Sequence, residues 1–209
     1  MNIVFIAPPA SGKGLMSSLI YEKYGYPHVS MGDLLRNVDD EEIKLKLQNG
    51  EFVNNDMVAK LLKIRLSKSD CDNGYVLDGF PRNETQIPIY EDICGNNNII
   101  IVLDIPRETG EKRITGRRVC LNCGEVYNDL FENSKSKKEG ICDKCGHELI
   151  KRSDDNLEVY EKRYDTYLNE TEPIIKYFED KGLVHHVDAT RQVSEIFNEI
   201  DKIIGGYND

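Results

Sequence analysis

The apolar run Ile3–Ile6 feeds straight into the turn Ala7-Pro8-Pro9-Ala10-Ser11-Gly12-Lys13-Gly14, and apolar residues at 15, 16, 19, 20 and 24 follow at helical spacing. A buried strand joined this tightly to an amphipathic helix is one unit of a layered α/β fold. The unit recurs along the chain. Tyr75–Leu77 and Ile99–Leu103 read as further strands with helical patterns behind them. Leu183–Val187 is the last, before apolar positions 193, 196, 197, 200, 203 and 204. The expectation is an α/β fold, a three-layer α/β/α arrangement about a parallel sheet, with ligands held beyond the carboxyl ends of the strands.

Two regions break the alternation. Leu34–Leu66 is helical by pattern, and Cys120–Glu148 is polar and carries paired cysteines. Strands resume after each, so both read as inserts on one core, which suits a chain of 209 residues. The expected division is a core of 1–29, 67–116 and 157–209, a helical insert over 30–66 and a cysteine-bearing insert over 117–156. Asp155 and Glu158 are spaced as a capping box for a long helix towards Phe178, with Gly182 as its stop.

The formal charge is −10, which argues against a general grip on nucleic acid, so an anionic ligand must be met by local cations. Met1–Ile6 is too short for a signal peptide and lacks a basic lead. No apolar run approaches the roughly 20 residues that span a bilayer. A cytoplasmic protein is expected.

The turn 7–14 is placed to aim backbone N–H groups and a helix N-terminus at a phosphate, with Lys13 reaching the outer oxygens. It departs from the strict phosphate-loop pattern at Ala7, in place of the first glycine, and at Gly14, in place of a hydroxyl residue. Further cations lie where strands and helices end. Ser30–Arg36 and Asp78–Gln86 each join a carboxylate to an arginine, and Ile114–Val119, Lys151–Asp155 and Arg163 add more. Together they describe an anion clamp. Cys120-x-x-Cys123 and Cys142-x-x-Cys145 have the spacing of a zinc ribbon, a closed structural site. Zinc is favoured over iron by that context, and His147 is surplus to it. Cys71 and Cys94 read as inert, partly buried thiols.

Nearly end to end, through Asp78-Gly79-Phe80-Pro81-Arg82, Ile114-Thr115-Gly116-Arg117-Arg118-Val119-Cys120 and the segments above, the chain resembles the adenylate kinases, in their long form with a zinc-bearing lid. The resemblance implies a magnesium-dependent, reversible transfer of a phosphoryl group from ATP to AMP by a monomer without nucleic-acid or membrane partners. It makes 30–66 the monophosphate-binding insert and 117–156 the lid. Lys13, Arg82, Arg117, Arg152 and Arg163 would surround the transferring group, with Asp154 and Asp155 orienting arginines or closing the lid. The donor would meet Pro9, Ala10, Ser11, Gly12, Lys13, Gly14, Leu15, Arg113, Arg117, Val126, Tyr127 and Arg191. The acceptor would meet Met31, Arg36, Glu51, Val53, Gly79, Arg82, Gln86, Arg152 and Arg163, and Asp33 and Asp78 would hold the waters of Mg2+. Zn2+ would be held by Cys120, Cys123, Cys142 and Cys145.

Departures from the family pattern keep other readings open, namely a UMP or CMP kinase, or a nucleotide-binding protein without turnover. Met31 stands where threonine is usual, Ala7 and Ala10 where glycines are usual, and Leu15-Met16 replaces threonine and glutamine. The segment from Arg36 to Gly50 is also shorter than usual. Alanine is expected only where φ is not positive, and the lost hydroxyl at Leu15 should weaken donor binding by about 1 kcal/mol.

Overall fold

The computed structural model describes residues 1–95, 98–131 and 134–207. Five parallel strands form the main sheet in the order β2-β3-β1-β4-β8: β1 Asn2–Ile6, β2 His28–Ser30, β3 Val76–Asp78, β4 Asn98–Asp104 and β8 Val184–Asp188. The two-residue period of the strands divides the core. Val4, Ile6, Leu77, Ile100 and Val102 face one side, against Leu62, Tyr90 and Phe178. Ile3, Phe5, Val76, Ile99 and Ile101 face the other, against Met16, Ile20, Ile196 and Ile200. Both faces are covered, which is why Ile99–Leu103 is an unbroken apolar run with every residue 0% exposed.

The helices are α1 Lys13–Tyr24, α2 Met31–Arg36, α3 Glu41–Gln48, α4 Asn55–Leu66, α5 Ile87–Cys94, α6 Arg107–Gly116, α7 Leu157–Thr166, α8 Glu172–Glu179 and α9 Val193–Gly205. Between β2 and β3 lie α2, α3 and α4. A side chain starts each: Ser30 accepts from the Asp33 amide, Asp40 from those of Glu42 and Ile43, and Asn54 from that of Asp56. Between α6 and α7 lies a small antiparallel sheet, β6-β5-β7, of β5 Arg117–Cys120, β6 Val126–Asn128 and β7 Leu149–Ile150.

The capping-box expectation is corrected. Asn156, not Asp155, caps α7 by accepting from the Val159 amide at 2.9 Å, and the Asp155 side chain is 0% exposed and turned elsewhere. The helix that follows reaches Glu179 through a π-helical stretch, Tyr167–Thr171. Pro173 lies just beyond and has no N–H for the preceding turn, the kind of interruption that a widened turn absorbs.

Candidate active site

The carboxyl end of β1 opens into the loop 7–12, where α1 begins. No side chain caps α1 and its first turn holds no acid, so its leading N–H groups are free for an anion. An added Cβ at Gly12 or Gly14 would meet nothing within 4 Å, so space is open in front of the loop. The expectation for Ala10 is overturned: it sits at φ 62, in the left-handed region, beside Gly12 at φ 102. The loop keeps its shape at the cost of a strained alanine.

Lys13 folds back over this loop. Its Nζ donates to the carbonyls of Ala7 and Pro8, each at 3.2 Å, and lies 3.8 Å from Asp78 Oδ1. Burial is the main influence on its pKa and lowers it to about 8; Asp78 opposes this, while Arg82, Arg163 and Arg117 add to it. Burial alone would raise Asp78, but Lys13, His28 and Arg82 outweigh it and hold the carboxyl at about 2. His28, which the sequence reading passed over, puts Nε2 3.5 Å from Asp78 Oδ2 because β2 and β3 pair His28 with Val76 and Ser30 with Asp78.

Four expected arginines meet three expected carboxylates. Arg117 at the start of β5 grips Asp155 with Nε and Nη2, the former at 2.7 Å. Arg163 on α7 and Arg36 on α2 converge on Asp154 Oδ2 at 3.0 and 3.3 Å. Arg36 also donates to Asp33 at 2.7 Å, and Arg152 approaches the same carboxylate at 3.6 Å. Burial depresses Arg163 to about 10 and lowers Arg152 and Arg82 as well. For Asp154 the opposing burial is outweighed by Arg36, Arg163, Arg117 and Arg152, so its carboxyl lies below the usual range. Lys13, Arg36, Arg82, Arg117, Arg152 and Arg163 are six cations against Asp33, Asp78, Asp154 and Asp155, a surplus of two positive charges in an acidic protein.

Arg82 is held by its own loop. Its Nε donates to the Gly79 carbonyl at 2.8 Å, and a Cβ at Gly79, where φ is +83, would be strained and would lie 2.8 Å from the guanidinium and displace it, which favours glycine here. Thr171, in the π-helical stretch, donates to the Arg82 carbonyl at 2.8 Å. That contact had no signal in the sequence. The cleft between these elements is lined by Pro9, Lys13, Gly50, Phe52, Gly79, Arg82, Arg163 and Tyr167.

On the acceptor side, Met31 and Val53 are buried in the core cluster, at 2% and 8% exposure. Gln86 accepts from the Arg82 amide at 2.8 Å and donates to Asn55 at 2.9 Å, while Glu51 is at the surface near Lys162, 3.4 Å away. On the donor side, Ser11 is buried, Leu15 is partly exposed on α1, and Arg113 donates to the carbonyls of Ser11 and Ala189 at 3.0 and 2.8 Å. Arg191 pairs with Glu199 and reaches the Asp188 carbonyl at 3.1 Å. Val126 is exposed, whereas the Tyr127 hydroxyl turns to the loop of the second cysteine pair, accepting from the Asp143 amide at 2.8 Å.

The sulfurs of Cys120, Cys123, Cys142 and Cys145 lie within 4.8 Å of one another. Their closest separations, 3.4 to 3.5 Å, are far beyond a disulfide and near the ~3.8 Å edge of a tetrahedral thiolate site. The set therefore fits a metal ion. The backbone of His147 favours a thiolate at Cys145, at about 5. At Cys123 the Glu125 amide does likewise, but burial and the other sulfurs outweigh it and push the thiol up. Cys71 and Cys94 are buried, as expected, with thiols raised chiefly by burial.

An uncapped phosphate loop at the end of a parallel sheet, faced by this ring of arginines, defines a phosphate-binding-loop kinase fold and site. The adenylate kinase family model matches residues 5–183. Adenylate kinase of Thermodesulfovibrio yellowstonii is 41% identical, covering 98% of this chain and 99% of its own length. Those of Clostridium tetani and Bacillus pumilus are 36% and 35% identical, each over the full length of both chains. The chain belongs to the adenylate kinase family and is a phosphotransferase. Among the described residues, no helix is long and apolar enough to cross a membrane.

Proposed function

We propose that the chain moves the terminal phosphoryl group of ATP to AMP, reversibly, giving two ADP. An acceptor phosphate oxygen forms the new P–O bond as the bond to the β-phosphate oxygen breaks, and no side-chain nucleophile is required. Catalysis is then alignment and charge neutralisation. The observation that carries this reading is one cluster of cations: Arg82, Arg117 and Arg163 lie close enough to act on Lys13 in the loop that ends β1, and Arg36 and Arg152 join them through Asp154 and Asp33.

Each side chain has a task in that scheme. The N–H groups of residues 10–15 and Lys13 take the donor phosphates; Lys13 must leave the Ala7 and Pro8 carbonyls to do so. Arg36 and Arg82 hold the acceptor phosphate. Arg117, Arg152 and Arg163 cover the transferring group, and Asp154 and Asp155 keep their planar forks oriented until phosphate oxygens arrive. Asp78 stays ionised at any physiological pH, so with Asp33 it suits the water shell of Mg2+, which neutralises phosphate charge when bound. Arg113, Val126, Tyr127 and Arg191 lie towards the donor nucleoside, and Met31, Glu51, Val53, Gly79 and Gln86 towards the acceptor. Residues 117–156 form a lid whose cysteines hold one zinc, and 30–66 receive the monophosphate. The protein is a cytoplasmic monomer in this reading.

A coupled assay of ATP with AMP, CMP, UMP and GMP tests it. AMP should give the highest kcat/KM; a preference for a pyrimidine monophosphate would overturn the acceptor assignment.

A further inference from the structure

We propose that Asn55 is a specificity-positioning residue, which holds the Gln86 amide in one orientation and so selects a 6-aminopurine over a 6-oxopurine as acceptor. The proposal rests on the reading of Gln86 as the residue that meets the acceptor base.

The orientation follows from a chain of hydrogen bonds with one unambiguous end. The Arg82 backbone N–H, which can only donate, lies 2.8 Å from Gln86, so the atom facing it is Oε1. The Gln86 NH2 group then faces Asn55, which must present Oδ1, at 2.9 Å. The Asn55 NH2 group is thereby turned to Thr85 Oγ1 at 2.9 Å, and the Thr85 hydroxyl donates onward to Asn83 Oδ1 at 2.8 Å. Every member has one role. Reversing Gln86 would set N–H against N–H at Arg82 and oxygen against oxygen at Asn55. With Gln86 only 3% exposed, solvent is poorly placed to repair either clash.

Asn55 is free for this work. It is the first residue of α4, but Asn54 supplies the cap. The oriented amide keeps one N–H on Nε2 and one lone pair on Oε1 unused. A 6-aminopurine offers a ring-nitrogen acceptor beside an exocyclic N–H and matches that pair. A 6-oxopurine offers ring N–H and carbonyl, the reverse order, and in the same pose meets donor with donor.

The test measures kcat/KM for AMP and for inosine monophosphate at saturating ATP. In Asn55→Ala a water, equally able to donate or accept, replaces Oδ1, and the AMP-to-IMP ratio should fall roughly five- to tenfold, a factor typical of one hydrogen bond. KM for ATP should not change. Asn55→Asp still accepts from Gln86 and should keep the ratio within about twofold of wild type. Thr85→Val, which removes the partner that orients Asn55, should shift the ratio in the same direction by less. An unchanged ratio in Asn55→Ala, or an equal loss in Asn55→Asp, would overturn the role of Asn55. Wild-type protein that does not favour AMP over IMP would overturn the acceptor reading itself.

Discussion

Replacing Ala10 by glycine separates backbone strain from every other contribution of the phosphate loop. Alanine at φ 62 carries the left-handed penalty of about 1–2 kcal/mol, which glycine does not. Glycine also gives the unfolded chain more freedom, which costs about 0.4–1 kcal/mol. The balance runs from neutral to roughly 1.5 kcal/mol stabilising, the opposite of an ordinary alanine-to-glycine change. Ala59, inside α4, supplies the contrast: there glycine should cost about 1 kcal/mol. In a domain of this size 1 kcal/mol moves Tm by about 2–4 °C. Calorimetry on metal-loaded protein should therefore show Ala59→Gly falling by about 2–4 °C and Ala10→Gly unchanged or raised by up to about 6 °C. If Ala10→Gly fell as far as Ala59→Gly, the loop would not be strained there.

Asp155→Asn leaves Arg117 without its countercharge next to a 0% exposed side chain. Because Arg117 keeps some exposure, the cost should be about 2–3 kcal/mol, below the usual range for a broken buried pair, seen as a lower Tm together with a reduced kcat. Lys13, lowered to about 8, should lose its charge in the free enzyme as pH rises past that value, so kcat/KM for ATP should fall above about pH 8; bound phosphates keep it charged and should move the limb in kcat to higher pH. The same depression makes Lys13 a stability burden below pH 8 that is relieved as pH rises towards 10.5, whereas Asp78, held at about 2, contributes stability above its usual 3.8 that is lost as pH falls towards 2; both are read from Tm against pH. Elemental analysis of native protein should find one zinc per chain, and a strong chelator should lower Tm as the metal leaves; protein with no metal would refute the zinc site.

The layered fold was legible because strands buried on both faces leave unbroken apolar runs, as in Ile99–Leu103. The cysteine cluster was legible from spacing alone, because a tetrahedral site tolerates few alternatives. The arginines were found as a set, but their partners were only partly visible. Asp155 looked like a helix cap by spacing and, through the resemblance, like a partner for arginines; the fold turns it onto Arg117 and leaves the cap to Asn156. His28, Asn55 and Thr171 were missed because each reaches the site across strands or helices distant in sequence. Ala10 failed differently. The rule that reserves positive φ for glycine is a cost of a kcal/mol or two, and a loop fixed at both ends by β1 and α1 can absorb it.

The most direct measurement is 31P NMR of purified protein with Mg2+, ATP and AMP. Two ADP should form for each ATP consumed, with the AMP signal lost at the same rate, and the reaction should run backwards from ADP. ATP loss with release of inorganic phosphate while AMP persists, or no turnover despite nucleotide binding, would contradict phosphoryl transfer between the two nucleotides.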